Sequence, residues 1–88
     1  MKIEHAEGRI FAKTEHGEAE VLYRIQGTIM HVYRSYVPDE DRGRGIAKKL
    51  NLAAFEFAEN NGLKVSPDCS YTKGFLEKHK ELRRFSVV

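Results

Sequence analysis

Arg42, Gly43, Arg44 and Gly45 stand together just ahead of an apolar-periodic stretch, a spacing suited to holding phosphate. Glycine frees the backbone for positive φ and lets its N–H groups approach a ligand with no side chain between. The first turn of a helix carries unpaired N–H donors and a partial positive charge, which favour an anion there. Arg42, Arg44, Lys48 and Lys49 add fixed positive charge at the same point. A P-loop is excluded, because four residues between glycines and a Gly-Lys-Ser/Thr ending are both missing. A dinucleotide fingerprint fails too: Lys48 stands at its third glycine, and Leu63 and Lys64 lie where an acid is required. The spacing that is satisfied is Arg-x-x-Gly-x-Ala, at Arg42, Gly45 and Ala47.

A second group with chemical potential is Cys69, Ser70 and Tyr71. Cys69 is the single cysteine, so no internal disulfide forms, and it precedes a predicted helix whose N-terminal partial charge favours an anion. It can act as nucleophile, as proton donor, or as a small packed residue. A nucleophile needs a base within hydrogen-bond reach, and the sequence nominates none. Tyr71 is the alternative general acid. His5, His16, His31 and His79 are scattered without ligand spacing, so no metal site is expected; His31 lies in a strand and reads as a hydrogen-bonded sheet histidine more readily than as one facing a gap between strands. Asp39, Glu40 and Asp41 read as solvated acids that offset the arginines and favour the positive helix end. Lys73 reads as an exposed helix lysine within reach of a ligand phosphate.

The elements that must position these residues follow from periodicity. Residues 9–13 form a short β-prone run that ends in a turn at 14–17. Residues 18–26 alternate, with Val21, Tyr23 and Ile25 on one face, and Gln26-Gly27 makes a hairpin turn. Residues 28–37 are rich in β-branched and aromatic types, and Pro38 ends that third strand. Ile46, Leu50, Ala53 and Phe57 mark one face of a helix closed by Asn61-Gly62, while Asn51 falls on the polar side. Residues 63–66 are a short strand, and a strand–helix–strand unit of this length implies parallel pairing. Ser70 can cap a second helix holding Phe75, Leu76 and Leu82, and residues 83–88 carry no readable pattern. The fold class is α+β in one domain, residues 1–88.

This order, together with Arg42-Gly43-x-Gly45-Ile46-Ala47, resembles the Gcn5-related N-acetyltransferases, in which Arg-x-x-Gly-x-Ala binds pyrophosphate. Tyr36-Val37-Pro38, then Pro67-x-Cys69-Ser70-Tyr71, Phe75-Leu76 and His79, are similar to a very short branch of that superfamily, of roughly a hundred residues. Ile3-Glu4-His5 matches it more loosely, and Lys80 departs from it, since members often carry proline there. The resemblance implies that the third and fourth strands splay, leaving a gap. Backbone groups of Ser35, Tyr36 and Val37 would bond the pantetheine arm of acetyl-CoA there. The pyrophosphate would rest on N–H groups of Arg42, Gly43, Arg44, Gly45, Ile46 and Ala47. The adenosine end would lie near the basic helix face with Lys48, and Lys73 could reach a phosphate. Cys69 and Tyr71 become the candidate catalytic groups for acetyl transfer to an amine of a small molecule or peptide.

Composition narrows the class. A net charge of +2 does not suit a general polyanion binder, and 32% charged residues suit a solvated surface. No apolar run approaches membrane length, Lys2 and Glu4 interrupt any signal-peptide pattern, and the lone cysteine suits the cytoplasm. The competing reading is a non-catalytic module that binds CoA or nucleic acid through Arg42-Gly43-Arg44-Gly45. Against nucleic acid, the basic cluster is short, flanked by three acids, and lacks an interleaved aromatic platform.

Overall fold

The structure, a computed structural model, describes residues 1–87. Five strands pair in sequence order: β1 (Glu4–Ala6), β2 (Arg9–Thr14), β3 (Gly17–Gln26), β4 (Ile29–Tyr36) and β5 (Lys64–Pro67). The first four form antiparallel neighbours, and β5 joins β4 in parallel. That parallel joint requires a crossover, supplied by α1 (Ile46–Asn60); α2 (Ser70–Lys78) follows β5. The expected α+β arrangement is present, with β1 added ahead of the meander.

Ile10, Ala12, Ala19, Val21, Tyr23, Met30, Val32 and Val65 turn one sheet face inward against Leu50, Ala54, Phe55 and Ala58 of α1 and Phe75 and Leu76 of α2. Alternation in β2 and β3 explains this face, because residues two apart share a side of the pleat. Ile25 keeps the expected face, opposite the buried Met30, but near the end of β3 it is left exposed. The inward stripe of α1 is also rotated from the expectation. Leu50, Ala54 and Ala58 are fully buried at a spacing of four, whereas Ile46, Ala53 and Phe57 flank them half-buried. The helix ends as expected: Leu63 N–H donates to Ala58 O (2.8 Å) and Gly62 N–H to Glu59 O (3.3 Å), with Gly62 at φ 67°.

One irregularity in β4 decides what faces the helices. Tyr23 pairs with Val32 but Leu22 pairs with Arg34, so Tyr33 is an extra residue, a bulge. Before it, Met30 and Val32 point inward; after it, Ser35 and Val37 do. Ser35 lies opposite the buried Val21 and shares its side of the sheet. Without the bulge, Arg34 and Tyr36 would have been driven into the core.

Candidate active site

The two strands beside the site part company early. The last rung between β4 and β5 joins Val32 to Pro67, and Asp68 N–H closes it on Val32 O at 2.9 Å. β4 runs on to Tyr36 while the chain after β5 turns away into α2. The edge of β4 that faced β5 is therefore left without a strand partner over residues 33–36.

A cleft of about 580 Å³ opens at this fork, lined by Ser35 and Val37 of β4, the turn carrying Arg42, Gly43 and Gly45, the start of α1, and Ser70 and Tyr71 of α2. Gly43 (φ 84°) and Gly45 (φ 77°) adopt the left-handed conformation, and a Cβ at either would meet nothing within 4 Å. Glycine is needed here for the backbone bend and leaves the space beside it free. Gly45 is the N-cap of α1 and offers no side-chain cap; the first intrahelical bond from this end is Lys49 N–H to Gly45 O, 3.1 Å. The N–H groups of Ile46, Ala47 and Lys48 precede it and have no carbonyl one turn back. The turn thus offers donors and positive dipole to an anion.

Buried charge holds this turn in place. Asp41, expected in solvent, is 1% exposed. Its carboxylate accepts the His16 N–H (3.1 Å) and faces His16 Nδ1 at 2.9 Å, tying the β4–α1 connection to the β2–β3 turn. The hydrogen bond from the His16 side chain is the largest cause that holds the Asp41 carboxyl down to about 2. Arg44 donates to Glu15 (2.9 Å) and lies 3.6 Å from Asp41, so it serves this anchor and stands away from the cleft lining. Glu15, His16 and Asp41 bring their ligand atoms within 4.8 Å of one another, a group the sequence reading did not foresee, and the Arg44 guanidinium already pairs with both of its carboxylates. Arg42 lines the cleft and donates to Val37 O at 3.2 Å.

Cys69, and not Ser70, is the N-cap of α2, its sulfur accepting Thr72 N–H at 3.5 Å. Around it lies a closed ring of polar side chains. Asn51 Nδ2 donates to Ala47 O (2.9 Å), and because a carbonyl only accepts, this fixes the orientation of the amide. Thr72 Oγ1 then donates to Asn51 Oδ1 at 2.8 Å. With that proton committed, Thr72 Oγ1 accepts the S–H of Cys69 at 3.0 Å. Asn51 Nδ2 also donates to Ser35 Oγ (3.3 Å), whose own proton is left for Cys69 Sγ at 3.5 Å or for the cleft. Every donor points the same way round, and Asn51 and Thr72 are fully buried. Cys69 is only half-buried, behind the Ser35 hydroxyl that lines the cleft.

Sequence reasoning missed Asn51 and Thr72. Asn51 sits on the expected polar side of α1, and only the rotated stripe turns it inward. Its signal was slight: a small amide one residue after a core leucine.

Other expected site residues are distributed as follows. Tyr71 lines the cleft, stacks on Phe75 (centroids 6.5 Å apart), and has its phenol pushed up by burial. Tyr36 lies on the unpartnered edge, its ring turned out under the Arg34 guanidinium at 5.2 Å. Lys48 is exposed on α1 outside the lining, and Lys73 lines a separate cleft of about 610 Å³ with Ser66, Asp68 and Arg83. His31 is hydrogen-bonded, its Nδ1 2.9 Å from Asp68 Oδ2. Among the described residues no helix is long and apolar enough to cross a membrane.

A forked mixed sheet with an uncapped glycine turn at the fork defines a protein of the acetyltransferase fold. The chain belongs to the GCN5-related N-acetyltransferase family, whose model matches residues 9–85. It superimposes on the solution structure of a GCN5-like candidate N-acetyltransferase from Staphylococcus aureus with a TM-score of 0.81 and 30% identity, covering 98% of this chain and 87% of that one. It is 37% identical over 65 residues to Protein NATD1 of Bos taurus and of Homo sapiens, a match that covers 73% of this chain and 58% of each relative. The Danio rerio protein of that name is 31% identical over 84 residues, 90% of this chain and 76% of the relative. The chain thus spans less than two thirds of the length of the mammalian proteins it matches.

Proposed function

We propose that this chain is an acetyl-CoA-dependent N-acetyltransferase acting on a primary amine of a small molecule or peptide. The observation that carries the reading is the meeting, in one cleft, of the unpartnered β4 edge, the uncapped Gly43–Gly45 turn and the polar ring behind Ser35. The residues fit the co-substrate. Two positive-φ glycines leave room at the turn, and N–H groups at the start of α1 would hold the pyrophosphate with Arg42 beside them. The free edge at Ser35, Tyr36 and Val37 would bond the pantetheine arm as an added strand. Acetyl-CoA supplies the acetyl group as an activated thioester. N–H groups of the same edge would stabilise charge that develops on its carbonyl oxygen.

Cys69 acts in this account as proton donor and not as nucleophile. The ring commits its S–H to Thr72, and no general base lies within hydrogen-bond reach of its sulfur among the described residues. The Ser35 hydroxyl stands between that thiol and the cleft; it would give its own proton to the departing thiolate, and the Cys69 S–H, turning from Thr72 to Ser35, would replace it. Tyr71, at the cleft wall, shapes the pocket.

The test is mass spectrometry of cell extract incubated with the protein and isotope-labelled acetyl-CoA. Label is expected on the nitrogen of one amine or one class of amines. Binding of acetyl-CoA with no labelled amine above a heat-inactivated control would overturn the enzyme reading in favour of a CoA-binding module.

A further inference from the structure

The face of the sheet turned away from the helices carries a group that the site above does not use. His31 and Ser66 are Cα partners across β4 and β5, and both lie on that outer face, one rung before the fork. Asp68 follows at the fork itself, its backbone closing the last rung while its carboxylate turns outward. Ser66 Oγ donates to Asp68 Oδ1 at 2.6 Å, and Asp68 Oδ2 lies 2.9 Å from His31 Nδ1. The carboxylate is an acceptor only, so Nδ1 carries a proton and, in the neutral ring, Nε2 presents a lone pair. Hydrogen bonds from Ser66 first and His31 second hold the Asp68 carboxyl below its ordinary value. The imidazole is thus fixed in tautomer and direction by a carboxylate that is itself fixed by a hydroxyl.

The two faces of the fork are not equivalent. On the helix face lie the start of α2 and the Cys69 ring, whereas the residue just before Cys69, Asp68, stands on the other face. Among the described residues no helix packs on the outer face, and the edge of β5 adjoins the cleft of about 610 Å³ that Ser66, Asp68, Lys73, Glu77 and Arg83 line. An acceptor can therefore reach the fork from the side opposite the thiol. Resting on the transferase reading above, we propose that His31, oriented by Asp68 and Ser66, is the base that deprotonates the acceptor ammonium. One proton of R–NH3⁺ passes to His31 Nε2. The freed lone pair forms the C–N bond as the C–S bond of the thioester breaks; the departing sulfur takes a proton from Ser35 and Cys69, and the second amine proton restores it. The third stays on the amide nitrogen, and His31 returns its proton to solvent.

Charged groups around the imidazole are Asp68; Arg24, its Cα partner on β3, whose guanidinium lies over Tyr33 at 4.7 Å; Lys73, which acts on Asp68 from α2; and Lys64 on β5, held by Arg84 O. The first measurement needs no turnover. A long-range ¹H–¹⁵N spectrum of the ligand-free chain at pH 8 is expected to show His31 as the Nδ1–H tautomer, lost in Asp68→Asn. An Nε2–H tautomer in the unaltered chain overturns the proposal. The second compares n-butylamine, charged at pH 7, with methoxyamine, neutral at pH 7. His31→Gln is expected to lower kcat/KM for butylamine by about 10²–10⁴-fold, the usual worth of a positioned base, and to leave methoxyamine and acetyl-CoA binding nearly unchanged. Equal loss for both amines, or loss for neither, overturns it. If the unaltered chain binds acetyl-CoA and acetylates no amine, the transferase reading fails and takes the base assignment with it, whatever the tautomer.

Discussion

Thr72 Oγ1 donates to Asn51 Oδ1 across 2.8 Å, and both residues are fully shielded from water. This contact joins α2 to α1 and sets the donor direction of the whole ring, because it consumes the one proton that Thr72 could have offered to Cys69.

The ring should behave as a unit. Thr72→Val leaves Asn51 Oδ1 without its donor and should cost about 1–3 kcal/mol, as a stranded buried acceptor does. Asn51→Leu should cost a similar amount, and the double variant less than the sum, with a coupling of at least ~0.5 kcal/mol. Urea unfolding of the four proteins measures this; strict additivity would contradict the ring.

At Cys69, capping and chemistry separate by substitution. Cys69→Ala removes the N-cap acceptor of α2 and should cost about 0.5–2 kcal/mol, whereas Cys69→Ser keeps a cap. Turnover of the serine variant should fall by about 10²–10⁴-fold, the worth of a positioned acid, with acetyl-CoA binding intact. Incubation of the unaltered protein with acetyl-CoA and no amine should leave Cys69 unacetylated. A stable, hydroxylamine-labile adduct there would make it a nucleophile.

The distribution of the acids shows how far the chain could be read before it folds. The order of strands and helices, the Gly43–Gly45 turn and the Gly62 stop are local, and they stand in the structure where local rules put them. Asp41 differs: nothing within two residues of it distinguishes it from Asp39 and Glu40, and its burial depends on His16, 25 positions away. Asn51 is buried because α1 is rotated from the stripe that its own apolar spacing suggests, so that Leu50, Ala54 and Ala58 face the sheet. The Tyr33 bulge, which aims Ser35 at Cys69, exists only in the register between two strands. The three-residue β1 likewise draws its order from pairing with β2. Cys69 stood out in the sequence by its motif, but its hydrogen-bond partners Ser35 and Thr72 did not.

Acid should loosen the turn at residues 42–47 through Asp41. Its folded-state carboxyl lies at about 2, below the ordinary value of 3.8, so its stabilisation is full above that ordinary value and is lost as pH falls toward 2. Asp41→Asn should flatten this part of the stability curve between about pH 4 and 2 and should weaken acetyl-CoA binding at neutral pH. Circular dichroism melts across that range test it; an unchanged acid limb would remove Asp41 from the anchor.

Tyr71 should matter more for binding than for proton transfer. Tyr71→Phe keeps the ring against Phe75 and should change kcat by less than about threefold, with any loss appearing in KM for acetyl-CoA. A kcat loss comparable to that of Cys69→Ser would make the phenol the acid instead.

The central claim is that the turn at residues 42–47 receives acetyl-CoA, and thermal unfolding with and without the nucleotide tests it most directly. At ~100 times its dissociation constant the ligand should add about 2.7 kcal/mol. For a chain this small that raises the midpoint by on the order of 10 °C. Gly45→Val forces a β-branched residue into the left-handed conformation and should cost about 1–2 kcal/mol of unliganded stability. The account predicts a large shift for the unaltered chain and none for the still-folded valine variant. No shift with millimolar acetyl-CoA, or an equal shift in both proteins, would contradict it.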